Sequence, residues 1–323
     1  MLKKMGIRKI TVTTFALFIM LLFYFFPVAS NTLKVNKNYN YEESIIKESV
    51  YLVDKYEFVS RVMLPLESKD ILEKVRIKVK YLTIDSENVE STPNGFRPII
   101  PLNTEIKNLE IKDKILTINF SKEFLNISKN DEEKMIEAVI YSLTDIDGVA
   151  KIIIKVEGKL LEKLPKSGKI LPSILDRSYG INKIYDITSL SNLTKTTVYY
   201  TSVINDNIYY TPVTKINNDN REKITVIIDE LKSSLVYQSN LSSYLSAVAE
   251  LKSYEIIENT MHLTFNEKIL NNLKSKDILE EVKYTISMSV EENYNVDSVV
   301  FYVNEEEIAK CSKNSWKTSK SII

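Results

Sequence analysis

The sequence is poor in the residues on which most site chemistry depends. Among 323 residues there is one cysteine, Cys311, and one histidine, His262. A lone cysteine excludes an intramolecular disulfide, and with one histidine beside it no Cys/His zinc cluster is available. Six glycines and eight prolines are too few for low-complexity or long disordered chain. No G-x-x-x-x-G-K-[ST] or G-x-G-x-x-G loop is present to cradle a phosphate, and no G-x-S-x-G elbow presents a serine. An excess of charge of either sign is missing too. Lys plus Arg and Asp plus Glu each total 43, so the formal net charge is zero. A balanced chain lacks the basic field of non-specific nucleic-acid binding, and nucleic acid is set aside as a partner.

The residues that remain as chemical candidates each have a plainer reading. Any Ser-His-Asp triad must pass through His262. That residue lies between Met261 and Leu263 on a predicted strand, on the face opposite their apolar side chains, where solvent is expected. Ser44-Ile45-Ile46-Lys47 has S-x-x-K spacing, but no S-D-N or K-T-G accompanies it. Leu164-Pro165-Lys166-Ser167-Gly168 resembles a wall-sorting signal without the apolar, then basic, carboxyl terminus that such a signal needs, and reads as a turn. Asp131, Glu132 and Glu133 suit a helix N-terminus, where negative charge complements the dipole. For Asp145, Asp147 and Glu305 to Glu307, carboxylate chemistry stays open because separation is invisible in sequence. Tyr199, Tyr200, Tyr209 and Tyr210 read as core and sheet surface, with an aromatic recognition surface as the alternative. Cys311 reads as an incidental thiol in a polar tail. No catalytic residue, cofactor or metal ligand is assigned, and a non-enzyme is expected.

What the sequence does have begins at its amino terminus. Lys3, Lys4, Arg8 and Lys9 precede a stretch from Ile10 to Leu33 without a charge, almost wholly apolar from Phe15 to Phe26. At about 1.5 Å per residue, such a helix can cross a hydrocarbon core of about 30 Å. The basic flank predicts a cytoplasmic amino terminus and an exported remainder. The length favours a retained signal anchor over residues 1–33, giving a single-pass membrane protein. Val28 and Ser30 leave cleavage and secretion open. No cysteine follows to carry a lipid. Residues 34–49 are polar and read as a linker.

The rest of the chain repeats itself. Residues 109–126 (LEIKDKILTINFSKEFLN) lie without a gap on 254–271 (YEIIENTMHLTFNEKILN). Leu116, Ile118 and Phe120, like Met261, Leu263 and Phe265, alternate with polar residues as a half-buried strand does. A slightly longer offset then brings Asn130 and Glu133 onto Asp277 and Glu280, each pair spaced as a capping box. Met135, Val139 and Leu143 form an apolar helix face matched by Val282, Ile286 and Val290, and Gly148 is expected to end the first helix. A last strand follows, with Val149, Ile152, Ile154 and Val156 against Val296, Val299, Phe301 and Val303. Ahead of this, hairpin-like stretches at 50–64 and 197–213 each precede a helical spacing: Ile71, Leu72, Val75 and Val79, then Ile224, Ile227, Ile228 and Leu231.

The expectation is an α+β protein of two tandem β-β-α-β-β-α-β modules, at 50–158 and 196–309. Each would form one small mixed sheet with two helices on one face. Residues 159–195 make an ordered connector, and 310–323 a frayed tail.

Pro101-Leu102-Asn103-Thr104, then LEIKDKILTINFSKEF, a helix and GVAKIIIKVEG resemble the GerMN domain of GerM-type sporulation and germination proteins. LPSILDRSYGIN at 171–182 is similar to the segment after the first such domain in tandem members. In the second copy Asn304 and Glu305 stand where the first closes with Glu157 and Gly158. The resemblance implies a ring-building-motif-like fold. It also implies a scaffold or assembly role, with envelope or sporulation-complex proteins, or further copies of the chain, as partners. A peptidoglycan- or ligand-binding sensor is the alternative, and an envelope hydrolase a third reading. The family has no established catalytic residues to transfer.

Overall fold

A computed structural model describes residues 46–85, 92–233 and 240–313. The expected anchor at 1–33 and residues 34–45 of the linker, Ser44 among them, lie outside the described residues. Among the described residues no helix is long and apolar enough to cross a membrane.

The first module opens with a hairpin of β1 (Lys47–Asp54) and β2 (Val59–Pro65). The Asp54 carboxylate closes its turn by accepting from the amides of Tyr56 and Phe58. Helix α1 (Ile71–Leu82) follows, capped by Asp70, whose Oδ1 accepts from the Glu73 amide at 2.8 Å. After the short β3 (Phe96–Arg97) come β4 (Ile106–Lys112), β5 (Ile115–Phe120), α2 (Glu132–Leu143), β6 (Lys151–Val156) and β7 (Lys159–Leu160). In the connector, β8 (Ile184–Asp186) runs parallel to a strand of the second module. That module contains β9 (Thr194–Ile204), β10 (Asn207–Asn217), α3 (Lys223–Lys232), β11 (Leu241–Ser242), β12 (Leu251–Ile257), β13 (Thr260–Phe265), α4 (Glu280–Asn293), β14 (Ser298–Val303) and β15 (Glu306–Ser312).

The repeat found in the sequence is a repeat of strand register. Glu110 faces Thr117 across the antiparallel β4–β5 pair, as Glu255 faces His262 across β12–β13. Ile118 lies beside Ile154 in the parallel β5–β6 pair, as Leu263 lies beside Phe301 in β13–β14. The inward-facing residues of β5 and β13 are buried as their alternation requires.

Each module holds two sheets, not the single mixed sheet expected. One four-stranded sheet runs β4-β5-β6-β7 and its counterpart runs β12-β13-β14-β15. The two hairpins belong to a third sheet in the order β11-β9-β10-β2-β1-β3, with β8 beside β10, so this sheet is common to both modules. The physical reason is the place taken by the second helix of each module. The Tyr51 amide on β1 donates to Ser142 Oγ of α2 at 2.8 Å, and the Tyr199 amide on β9 donates to Ser289 Oγ of α4 at 2.8 Å. A helix therefore satisfies the strand edge where a sheet neighbour would have to sit. Packed between layers, α2 is buried around most of its circumference, including Met135, Ile136, Val139, Ile140 and Tyr141.

Four local expectations are corrected. Asn130 and Asp277 cap nothing: α2 and α4 start after Asp131 and Leu279, with no side-chain cap at either. At α2 the local order comes instead from Ser128, which bonds the Asp131 carboxylate, and from Arg97, which pairs with it. Gly148 lies beyond the helix, which ends at Leu143, in the turn that leads to β6. The linker's last residues are strand, with Glu48 and Ser49 buried in β1. The tail does not fray at Lys310. Strand β15 continues to Ser312, paired with β14, and buries Cys311 at 3% exposure in the second core.

Candidate functional site at the junction of the two modules

Strands β2 and β10 occupy equivalent places in their modules and meet antiparallel at a single register position, Arg61 opposite Tyr210. Asn182 of the connector stitches the remaining gap. Its Oδ1 accepts from the Val59 amide, and its Nδ2 donates to the carbonyls of Val59 and Pro212. The equivalent tyrosines of β1 and β9 touch across this seam, with the hydroxyls of Tyr51 and Tyr199 3.1 Å apart. Burial raises both above the ordinary tyrosine range, so both keep their protons. Tyr199 donates onward to Glu292 Oε2 at 3.3 Å, which leaves its oxygen free to accept from Tyr51.

Arg177, from the 3-10 turn at Arg177–Tyr179, is the centre of the charged network. It reaches Glu292 at 2.6 Å and Asp145 at 3.4 Å, and donates to Thr144 Oγ1 and the Tyr141 carbonyl. The Tyr141 ring centre lies 4.8 Å from its guanidinium carbon, a cation–π contact. Asp145 and Glu292 are themselves equivalent, since both are offset by 147 like Ser142 and Ser289. One arginine, present in the connector alone, thus binds the same carboxylate position of both repeats. Asp145 also accepts from Ser49 and lies 3.7 Å from the fully buried Lys78, which donates to the Ser142 carbonyl. Burial opposes its charge, but Lys78, Arg177 and Arg61 outweigh that and hold the Asp145 carboxyl at about 2.

Beside this network lies a cleft of about 650 Å³ between the modules, with Arg61, Asp145 and Arg177 on one side and Glu291, Glu292 and Lys313 on the other. Burial pushes Glu291 up to about 9, an effect that Lys313 and Arg61 offset only in part. Its Oε1 is buried without a hydrogen-bond partner. Asp145 and Glu292, the two acids that meet at one arginine, are each ion-paired to Arg177. What the geometry offers is a mixed-charge binding cleft.

The other residues singled out in the sequence lie elsewhere. His262 is half-buried, with Nδ1 3.3 Å from the Tyr302 hydroxyl and its ring stacked on that tyrosine, so it is not freely solvated. Leu164–Gly168 is a turn whose Lys166 and Ser167 amides donate to the buried Glu132 carboxylate. Asp131 and Glu133 pair with Arg97 and with Lys169 and Lys183. Tyr200 is buried as a core residue, while Tyr209 and Tyr210 are half-buried, Tyr209 against Phe96. Burial raises the Cys311 thiol, which leaves it protonated. Among the described residues no group of three His, Cys, Asp or Glu is placed to hold a metal ion. The signal that would have pointed to the junction is the recurrence of an acid at 145 and 292 around a single connector arginine.

Comparison with known proteins places this architecture. A family model described as Germane, sporulation and spore germination, matches residues 49–162. The spore germination protein GerM of Bacillus subtilis (strain 168) is 33% identical over 269 residues, covering 81% of this chain and 72% of that protein. Among solved structures, the tandem GerMN domains of the sporulation protein GerM from Bacillus subtilis match with a TM-score of 0.73 at 32% identity. That alignment covers 81% of this chain and 92% of that one.

Proposed function

The chain belongs to the family of GerM-type sporulation and spore germination proteins, and on that premise we propose that it is an exported, membrane-held adaptor of the spore-forming cell envelope. It works by binding other proteins, and the working surface is the outer edge of the second module. The observation that carries this reading is a difference between equivalent edge strands. On β4, Leu109 and Ile111 are half-buried against the first core, where α1 rests on the strand. Their counterparts on β12, Tyr254 and Ile256, are 39% and 46% exposed, and the adjacent Ile257 is 51% exposed.

An edge strand with free main-chain groups, apolar side chains and one charge of each sign (Lys252 and Glu255) suits an extended segment of a partner protein, added as a further strand. The junction supports an adaptor by holding both modules at one fixed angle to whatever binds. The basic and apolar amino terminus of the sequence supports the exported location.

A photo-crosslinking residue at position 256, in the full chain in sporulating cells, is expected to capture one defined envelope protein, and the same residue at 109 is not. Ile257→Lys should remove that adduct without lowering the thermal midpoint. Deletion of the gene should give fewer or germination-defective spores. Equal adducts at both positions, adducts only with a second copy of the chain, or normal spores would overturn the adaptor reading.

A further inference from the structure

Arg61 is 7% exposed, projects from the centre of the sheet common to both modules, and lines the junction cleft. Unlike Lys78 and Arg177, its guanidinium makes no ion pair or hydrogen bond with a described residue. No nitrogen of that fork is among the fully buried, unpartnered polar atoms, so its donors are presented to the cleft, where a planar acceptor can take them. Asp145 and Glu291 feel its charge without bonding to it. Asp145 is held by Lys78, Ser49 and Arg177, and Glu292 by Arg177. Glu291, on the other wall, has a buried side-chain oxygen without a partner. A cation with its donors open to the cleft and an acid with an unpartnered oxygen, one from each module, line the same cleft.

We propose that the junction cleft binds a small molecule through a single carboxylate, taken by the Arg61 fork with the Glu291 carboxyl as a second donor. The planar guanidinium matches a carboxylate with two parallel hydrogen bonds, and a protonated Glu291 can donate to the same group. The remainder of the ligand is constrained by charge. With Glu291 protonated, the lining still holds Asp145, Asp147, Asp176, Glu292 and Asp297 against four cations, so a molecule with several negative charges is repelled. A ligand with a cationic or neutral remainder can rest against Asp147 and Asp297 at the rim. The volume, about 650 Å³, suits a molecule of dipeptide size with some retained water. Because the site is built from both modules, its occupation would tighten the junction. This site stands independently of the edge-strand reading above.

Isothermal titration calorimetry of the purified full chain, with glycylglycine as the probe, tests the assignment. Saturable binding at one site per chain is expected. Glycylglycinamide, which lacks the carboxylate, should bind at least about tenfold more weakly, and inorganic phosphate should not compete. Arg61→Gln should lower affinity about tenfold or more. Arg61→Lys should lower it several-fold by losing the fork, and Glu291→Gln, which keeps a donor, should stay within about threefold. If Arg61→Gln does not fold, as judged by circular dichroism, Arg61→Lys carries the test. Absence of saturable binding, equal binding of the amide, stronger binding of phosphate, or an unchanged affinity in Arg61→Lys would overturn the proposal. None of these outcomes bears on the crosslinking at position 256.

Discussion

The first module's inner helix and its counterpart in the second occupy the same place, between a hairpin and a four-stranded sheet, but they fill it differently. Helix α2 buries Ala138 and Ile140 where α4 buries Thr285 and Ser287. Thr285 and Ser289 return their hydroxyls to carbonyls one turn back along the helix. Among the described residues, Ser202, Ser287 and Glu291 have buried side-chain oxygens without a partner, all in the second module; Tyr179, in the connector, has another. An apolar helix between layers gains transfer free energy at each position. A hydroxyl there at best recovers the hydrogen bonds it made to water. The same register therefore supports a well-packed module and a looser one. The looser one also carries the exposed edge strand and one wall of the cleft.

If that difference in packing sets stability, Arg177 is what conceals it. Replacing Arg177 by Ala leaves Asp145 and Glu292 facing each other without their shared cation. The expected loss is about 3 kcal/mol, in the range for breaking a partly buried pair from one side. Urea unfolding followed by tyrosine fluorescence and by hydrogen exchange should change from one transition to two, with α4 and β9 exchanging before α2 and β1. First loss of the first module, or a single unshifted transition, would break the comparison.

The acids at the junction sharpen it next, because the two modules respond to pH in opposite directions. Asp145, in the first, is held at about 2 by its cations and by Ser49. A depressed carboxylate stabilises the fold above its ordinary value and loses that contribution as pH falls toward 2. The loss amounts to roughly 2 kcal/mol, and Asp145→Asn should abolish this acid slope while lowering stability at neutral pH. Glu291, in the second module, sits at about 9. A raised carboxyl binds its proton more tightly in the folded chain, so stability falls as pH rises from its ordinary value toward 9. Glu291→Gln should flatten that limb and stabilise the protein at pH 8, by on the order of 2 kcal/mol. Thermal midpoints from about pH 2 to 9 for the two variants would show the opposition or its absence.

Where the modules are alike, equal effects are expected. Ser142→Ala and Ser289→Ala each leave a tyrosine amide on a buried strand edge without its acceptor. Each should cost about 1 kcal/mol, with the two values agreeing within about 0.5 kcal/mol. A clear inequality would mean that the helices do not hold their strand edges in the same way.

How much of this could be read beforehand depends on the sequence distance of each contact. The β4–β5 and β12–β13 hairpins declare themselves in the alternation of Leu116, Ile118 and Phe120 and of their counterparts, because each buried face is written within a dozen residues. The separation into two sheets is not local. It turns on an amide at Tyr51 meeting a hydroxyl at Ser142, 91 positions away. The capping boxes failed for the converse reason. The spacing of Asn130 and Glu133 is right, but Arg97 and the 164–168 turn compete for the acids of that turn. Cys311 was misplaced because a strand of mixed polarity such as Glu306–Ser312 carries no alternation until its neighbour is known. Arg61 and Arg177 carry no motif at all, and their partners come from elements that only the fold brings together.

The smallest expected effect lies in the turns that close the final hairpin of each module. The first uses Glu157 and Gly158, with φ of 48° and 79°, and the second uses Asn304 and Glu305, with φ of 50° and 64°. Both turns need a left-handed residue at each central position, which glycine and asparagine accept and glutamate resists. In the second module Asn304 takes the favourable part and also donates to Glu267 Oε1 at 2.7 Å. Glu305 carries the strain. Glu305→Gly should relieve about 1 kcal/mol of backbone strain and lose about half of that to the freedom glycine gains in the unfolded chain. The net gain of about 0.5 kcal/mol would appear as a small rise in thermal midpoint, and Gly158→Glu should produce a fall. A fall for Glu305→Gly would instead mean that its side chain makes a stabilising contact, and that the second turn is a variant with a role of its own.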